Sequence, residues 1–417
     1  MLRRKNYWLL FAILLLSLTS LSPGMDLNQT DERPLVNEYP SQSQSFSQRQ
    51  KGEPAYLRIS VSLSHKEFRE LQKISRNYTL SSGVNIELVN LGESAGYDAV
   101  MDELTIGNSP DIVMTEAHYI RELAQQGYLL PVDAYRSSPG GTPLTPLLPL
   151  LQWNGYVWGA PLDIDPYVFV YSPQVLKELG AEALPGSLGG WTRLLEQSLK
   201  KPGTYVLGMD AGSPYGMSVF LESVGSALFP VSREALEWTS RARSSIYLSD
   251  GKHDGIWNRL REGSIAAAVL PLSEWREDGG DSLVAEAPWM GAGAGAETLY
   301  CRSFALSAQT RSPEAAADWL SYITSARSQL SWLESTGRLP AAEESYRGGL
   351  PGEVSLPFDA GGLLTDGGGA DGELQAGWSE ITAAANLLLT GKLDTAGFIQ
   401  ALSSPLGGEG SDPAPAY

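Results

Sequence analysis

The chain has 417 residues, 42% of them hydrophobic and 19% charged, which excludes a disordered protein and exceeds what one ordinary core holds, so two domains are expected. A net charge of −18 disfavours nucleic acid or an anionic membrane as partner of the folded part, because phosphate contacts would be repulsive. One cysteine, Cys301, leaves no disulfide to form within the chain, and His65, His118 and His253 are scattered without metal-ligand spacing.

Residues 1–24 contain Arg3, Arg4 and Lys5, no acid, and an apolar run over residues 7–18. This reads as a signal peptide or signal anchor, and the run is short for a membrane span, which favours export. Residues 25–54 are rich in Gln, Ser, Glu and Pro without apolar periodicity and read as a flexible linker.

An apolar strand is expected over residues 55–63. Ser64 and Glu67 then form a capping-box pair ahead of the stripe Phe68, Leu71, Ile74 and Tyr78, and Gly83 closes that helix. A strand over 84–91, a helix over 97–106, a strand over 109–114 and a helix over 119–126 follow. Alternating β and α units imply a parallel sheet with helices on its faces, and ligands of such sheets lie beyond the carboxyl ends of the strands. That rule points at Ser62, Ser64, Thr115, Glu116 and His118. Glu116 reads equally as a ligand contact or as a solvated carboxylate at a helix start.

Asn154-Gly155 is a tight type I′ turn signal between two short extended pieces. Beyond it, Asp163 and Asp165 flank Ile164 in an apolar run and share one face of a strand. Carboxylates do not belong in a sheet interior without partners, so that face is either wet or meets a polar ligand. Helices over 173–179 and 191–199 precede a strand over 205–209. Gly212 to Met217 opens a further helix, where Tyr215 stands beside free N–H groups; it either faces a ligand or staples the helix to its own lobe. A helix at 256–261 and a strand at 265–270 come next. The Gly-rich stretch after Pro288 and Trp289 lacks the Lys-Ser/Thr of a phosphate loop, and Trp289 is a candidate cleft residue.

Cys301 lies in an apolar strand, 299–306, as a small buried hydrophobe. Ser312 is a candidate N-cap, with Pro313 at the first helical position. Ala316, Trp319, Leu320, Ile323, Leu330 and Leu333 follow at helical spacing, and Gly337 supplies the left-handed exit. Residues 345–373 read as a Gly-rich loop, 374–389 as a helix containing Trp378, 395–402 as a last helix, and the tail from 403 as disordered.

Three passages resemble the extracellular solute-binding proteins of ABC importers, the maltose-binding-like family. They are Pro110-Asp111-Ile112-Val113 with the later Gly127-Tyr128-Leu129-Leu130-Pro131-Val132-Asp133; the crossing from Trp153 to Tyr171; and Ser312-Pro313-Glu314-Ala315-Ala316, Trp319-Leu320 and Gly337-Arg338-Leu339-Pro340. The resemblance covers residues 55 to 402. It implies an α/β, two-lobed periplasmic-binding-protein-like fold, each lobe a mostly parallel sheet flanked by helices, joined by a hinge. Lobe 1 would take residues 55–164 and 298–343, lobe 2 residues 165–297 and 344–402, with 403–417 as tail.

The implied function is an exported component of an ABC importer that closes around a small polar solute, a sugar or oligosaccharide, and delivers it to the membrane permease. No cofactor, metal or catalytic residue is implied. Asp165 falls where the family has a cleft carboxylate on the hinge strand, and Tyr215 and Trp378 fall where aromatic rings face the ligand. The expected ligand-binding set is Ser62, Ser64, Glu116, Asp163, Asp165, Tyr215, Trp289 and Trp378. One departure is the missing lipid-attachment cysteine after the apolar run, which leaves retention by an uncleaved anchor, or release. It also leaves an alternative: a membrane-anchored degenerate binding protein acting as a sensor or surface-interaction protein.

An enzyme is not expected. Asp163 and Asp165 are the one close acid pair in a plausible cleft. At about 6–7 Å apart along one strand they point in parallel rather than opposing each other across a bond. No Gly-x-Ser-x-Gly elbow, HExxH or Walker motif occurs.

Overall fold

Strand β1 (Tyr56–Val61) buries Leu57, Ile59 and Val61 completely, and helix α1 (His65–Ser82) starts directly after it. Ser64 Oγ accepts the Glu67 N–H while the Glu67 carboxylate accepts the Ser64 N–H, so the expected capping box forms. Gly83, at φ 76°, ends the helix in the left-handed region. The computed structural model describes residues 55–403 apart from 94, 106, 108, 137–139, 288–294, 352–353, 355 and 366–376. The expected leader, linker and tail therefore lie outside the described residues, and so does Trp289.

The first half continues through β2 (Asn85–Asn90), α2 (Tyr97–Thr105), β3 (Ile112–Glu116), α3 (Ile120–Gln125), β4 (Leu129–Leu130) and α4 (Leu148–Leu151). β1 is parallel to both β2 and β3, as the alternation of units predicts. A hairpin of β5 (Gln152–Trp153) and β6 (Tyr156–Val157) turns on Asn154 and Gly155 at φ 50° and 78°, the paired positive values a type I′ turn requires.

β7 (Gly159–Tyr171) is 13 residues long and buried throughout. It leads to α5 (Pro173–Glu178), α6 (Leu188–Ser198), β8 (Tyr205–Asp210), α7 (Tyr215–Ser223), α8 (Arg233–Ala242), β9 (Ile246–Ser249), α9 (Asp254–Arg261), β10 (Ile265–Pro271), α10 (Leu272–Asp278) and β11 (Val284–Glu286). The chain returns along β12 (Leu299–Ser307) to α11 (Pro313–Ile323), α12 (Ala326–Thr336), β13 (Leu339–Pro340) and α13 (Glu344–Arg347), then ends in α14 (Trp378–Thr390) and α15 (Thr395–Leu402).

The strands run in the order β2-β1-β3-β12-β7-β10-β8-β9. β7 joins the two lobes. Its residues up to Pro166 pair antiparallel with β12, and those from Tyr167 onward pair antiparallel with β10. The parallel ladders β2-β1-β3 and β10-β8-β9 thus flank a pair of crossing strands. One core holds Leu57, Ile59, Phe304, Trp319 and Trp332; another holds Phe169, Trp191, Phe220 and Trp238 together with Ile381, Leu388 and Phe398 of the last two helices. Burying each such side chain contributes roughly 1.5–3 kcal/mol.

Two local expectations fail. The stripe after Pro313 belongs to two helices, not one. The hydroxyls of Ser321 and Thr324 bond back to the carbonyls of Ala317 and Leu320, and Ser325 Oγ then accepts the Ser328 N–H to start α12 afresh. Ser312 makes no side-chain cap; Thr310 Oγ1 instead accepts the Ser312 N–H.

Candidate ligand-binding site

Parallel strands end on one side of their sheet, and that brings the first set of polar groups together. Ser62 follows β1, Thr115 and Glu116 close β3, Tyr97 opens α2, and Tyr300 and Arg302 lie early in β12. These residues line a common cavity of about 80 Å3. Ser62 Oγ is buried with no hydrogen-bond partner among the described residues, so an unmet polar group lines the cavity.

The second lobe contributes aromatic rings. Tyr215, the first residue of α7, donates its hydroxyl to Glu116 and lies 3.1 Å from His118 Nδ1. His118 stacks on Trp378 at 3.7 Å between centroids with 17° between planes. Tyr215 also stacks on Tyr167 at 4.8 Å and meets Tyr300 edge-on at 5.9 Å. Burial, then the charge and hydrogen bond of Glu116, hold the Tyr215 phenol well above its ordinary pKa, so it stays a proton donor at neutral pH. Tyr215 and Trp378 are 2% and 3% exposed, so both rings are packed away from solvent.

Asp163 and Asp165 are placed elsewhere. Both are buried, and they do not line the cavity themselves: Arg302 and Tyr300, paired opposite them on β12, stand there, and the two carboxylates are taken up by protein partners. Arg302 Nε donates to both Asp163 oxygens at 3.0 and 3.2 Å, its Nη2 donates to the same carboxylate, and Trp332 Nε1 adds a bond at 2.7 Å. Asp165 accepts from the Ser273 N–H at 2.9 Å, the Ser273 hydroxyl at 2.6 Å and Arg338 Nη1 at 2.9 Å. Glu67 bridges the two guanidiniums, at 2.8 Å from Arg302 and 2.9 Å from Arg338. Burial opposes its charge, but the two arginines overcome that and hold the Glu67 carboxyl far below the usual range. The chain Asp163–Arg302–Glu67–Arg338–Asp165 ties α1, β7 and β12 to the segment after α12, beside the point where β7 changes lobes.

The expected set therefore divides. Ser62, Glu116, Tyr215 and Trp378 converge. Ser64 is engaged by the α1 cap, Asp163 and Asp165 by the ion network, and Trp289 lies outside the described residues. Tyr97, Tyr167 and Tyr300 join the site without having been expected. Tyr167 and Tyr300 stand beside the β7 switch and early in β12, and only the strand pairing shows that these positions meet. Cys301 is buried in β12, and burial raises its thiol far above the ordinary range, in keeping with a packing role.

A family model for bacterial extracellular solute-binding proteins matches residues 73–354. The chain belongs to this family. No curated protein matches it. Solved structures share the fold across nearly their whole length. The GacH receptor of Streptomyces glaucescens, described unliganded and with acarbose, is 17% identical, covers 84% of this chain and 97% of its own, and has a TM-score of 0.61. UgpB of Mycobacterium tuberculosis, in complex with glycerophosphocholine, is 15% identical, with coverages of 84% and 96% and a TM-score of 0.59. The sugar-binding protein MalE of Xanthomonas citri is 14% identical, with coverages of 84% and 95% and a TM-score of 0.59.

Proposed function

We propose that this solute-binding protein takes a small polar solute, an oligosaccharide in the first instance, into the cleft between Glu116 and Tyr215, and that it delivers the solute to an ABC permease after export. The meeting of Glu116 from lobe 1 with Tyr215 from lobe 2 supports this reading most. A carboxylate accepts sugar hydroxyl protons, and the faces of Tyr215, Tyr167 and Trp378 suit the C–H faces of a pyranose. Ser62 offers a further hydroxyl with an unmet bond. The Tyr215 hydroxyl stands at Glu116 where a ligand hydroxyl would, so solute entry exchanges one Glu116 partner for another. Opening would break the Glu116–Tyr215 bond and the His118–Trp378 stack and swing the lobes where β7 passes from β12 to β10. The acarbose of GacH's complex and the description of MalE as a sugar-binding protein favour a saccharide, and UgpB's complex adds glycerophosphocholine as a class to test.

The experiment is a thermal-shift series with acarbose, linear malto-oligosaccharides and glycerophosphocholine. A ligand that binds only the folded state stabilises it by about 2.7 kcal/mol at a hundredfold excess over Kd. A concentration-dependent rise with a saccharide is expected. No rise with any saccharide in folded protein would overturn the saccharide reading.

A further inference from the structure

The turn that leads into Tyr215 is pinned by Asp210, the last residue of β8. Asp210 Oδ1 accepts the Gly212 N–H at 2.9 Å and the Gly251 N–H at 2.9 Å, so one carboxylate ties the β8–α7 turn to the loop ahead of α9. His253 lies at the other oxygen, with Nε2 3.9 Å from Asp210 Oδ2. Its Nδ1 is 2.7 Å from Glu274 Oε1, and the second Glu274 oxygen accepts the Trp257 indole N–H at 2.9 Å. His253 Nε2 is buried without a hydrogen-bond partner among the described residues.

One imidazole therefore stands between two carboxylates. Asp165 adds a third negative charge within range of His253, and Asp250, beside Gly251 on the loop ahead of α9, stands near Gly212. Arg338 is the cation that acts on Glu274, and it is already paired with Asp165 and Glu67. Burial alone would favour the neutral ring. The Glu274 bond and charge, then Asp210 and Asp165, outweigh it and raise the pKa above the ordinary histidine value. On the partner side, burial disfavours the Glu274 charge, but the bond to His253 and its charge lower the Glu274 pKa on balance.

We propose that His253 is a positioning residue for the cleft: as imidazolium it hydrogen-bonds Glu274 and draws Asp210 by charge, steadies the turn at residues 211–214, and so holds Tyr215 against Glu116. This rests on the reading of Tyr215 as a cleft residue. Because the folded-state pKa is raised, this contribution is complete below the ordinary histidine value and is lost as pH rises through the raised one. Cleft assembly is then strongest on the acidic to neutral side. His253 acts through Asp210 and touches no solute.

The test needs no solute. The protein's three histidines give three imidazole NMR signals, and His253→Gln identifies the relevant one. Amide exchange at Gly212 and Gly251, corrected for intrinsic rates, is followed from about pH 6 to about pH 9. In the wild type, protection at both glycines is expected to fall about tenfold or more as the His253 signal titrates above the ordinary value. In His253→Gln the protection is lower and independent of pH. Asp210→Asn, which keeps an acceptor oxygen and removes the charge, should also lose the pH dependence. The proposal is overturned if His253 titrates at or below the ordinary value. It is equally overturned if wild-type protection does not follow the titration, or if Asp210→Asn keeps the wild-type profile. A protein that shows this coupling yet binds no saccharide would remove the saccharide reading and leave the coupling in place.

Discussion

Glu222 and Arg302 show how differently buried charges behave here. Glu222, on α7, faces Glu297 across Gly295, and one oxygen of each carboxyl would lie within 3 Å of a Cβ placed there. Burial first, then the Glu297 charge, pushes the Glu222 carboxyl up to about 8. Between about pH 4.5 and about pH 8 the native state keeps a proton that the unfolded chain has released, so stability falls as pH rises through that window. Glu222→Gln should flatten this slope and stabilise the protein at pH 8 by on the order of a few kcal/mol, read from urea unfolding at several pH values. An unchanged slope would contradict it. Arg302 is the opposite case, with its charge matched by Asp163 and Glu67. Arg302→Met leaves both acids buried with one counter-ion between the network's three carboxylates, and should cost roughly 3–5 kcal/mol in urea unfolding. A loss of less than 1 kcal/mol would mean that the network is replaceable. None of this was legible in the chain. Asp163 lies 139 positions from Arg302, and Asp165 lies 173 from Arg338. The strand pattern showed that the acids share a face but not what covers it.

At the scale of elements, punctuation was the most legible feature. Ser64 with Glu67, Gly83, the Asn154-Gly155 turn and Gly337 each act as their residue types require, because caps and turns are decided by backbone geometry within four residues. Gly337 sits at φ 82°, and its carbonyl accepts from Arg276 Nη1 at 2.7 Å, so the left-handed turn also anchors α10. Gly337→Ala should lower stability by about 1–2 kcal/mol, checked by thermal unfolding; an unchanged midpoint would show that the turn relaxes freely. The break between α11 and α12 was not legible, since the apolar stripe keeps its phase across it. The break comes from Ser321, Thr324 and Ser325 hydroxyls competing for backbone partners. The start of α14 was misjudged for a similar reason. Gly377 has no side chain to mark a cap, and the Glu380 carboxylate supplies the bond instead, accepting the Gly377 N–H at 3.0 Å.

For the whole molecule, the alternation of strands and helices announced the parallel ladders, whereas the burial of β7 on both faces was not read, because Asp163 and Asp165 suggested a wet or ligand-facing side. The cleft was half legible. Ser62 and Glu116 follow from the rule that ligands meet strand ends, while Tyr167 and Tyr300 enter only through the antiparallel pairing of β7 with β12 and β10. The molecule has a buried ion network beside the middle of β7 and, apart from it, the Glu116–Tyr215 bond with the His118–Trp378 stack. On the proposed reading, solute binding competes with these contacts: the solute would replace the Glu116–Tyr215 bond and the His118–Trp378 stack, and its affinity would be set by the surplus.

The most direct measurement is isothermal titration of acarbose into the wild type and into Glu116→Gln. A carboxylate that meets solute hydroxyls in a closed cleft makes charge-assisted bonds worth roughly 1.5–3 kcal/mol. The account predicts one-to-one binding to the wild type and at least about tenfold weaker binding to a Glu116→Gln variant that unfolds at nearly the same temperature. Equal affinity in the two proteins would place the solute somewhere other than between Glu116 and Tyr215.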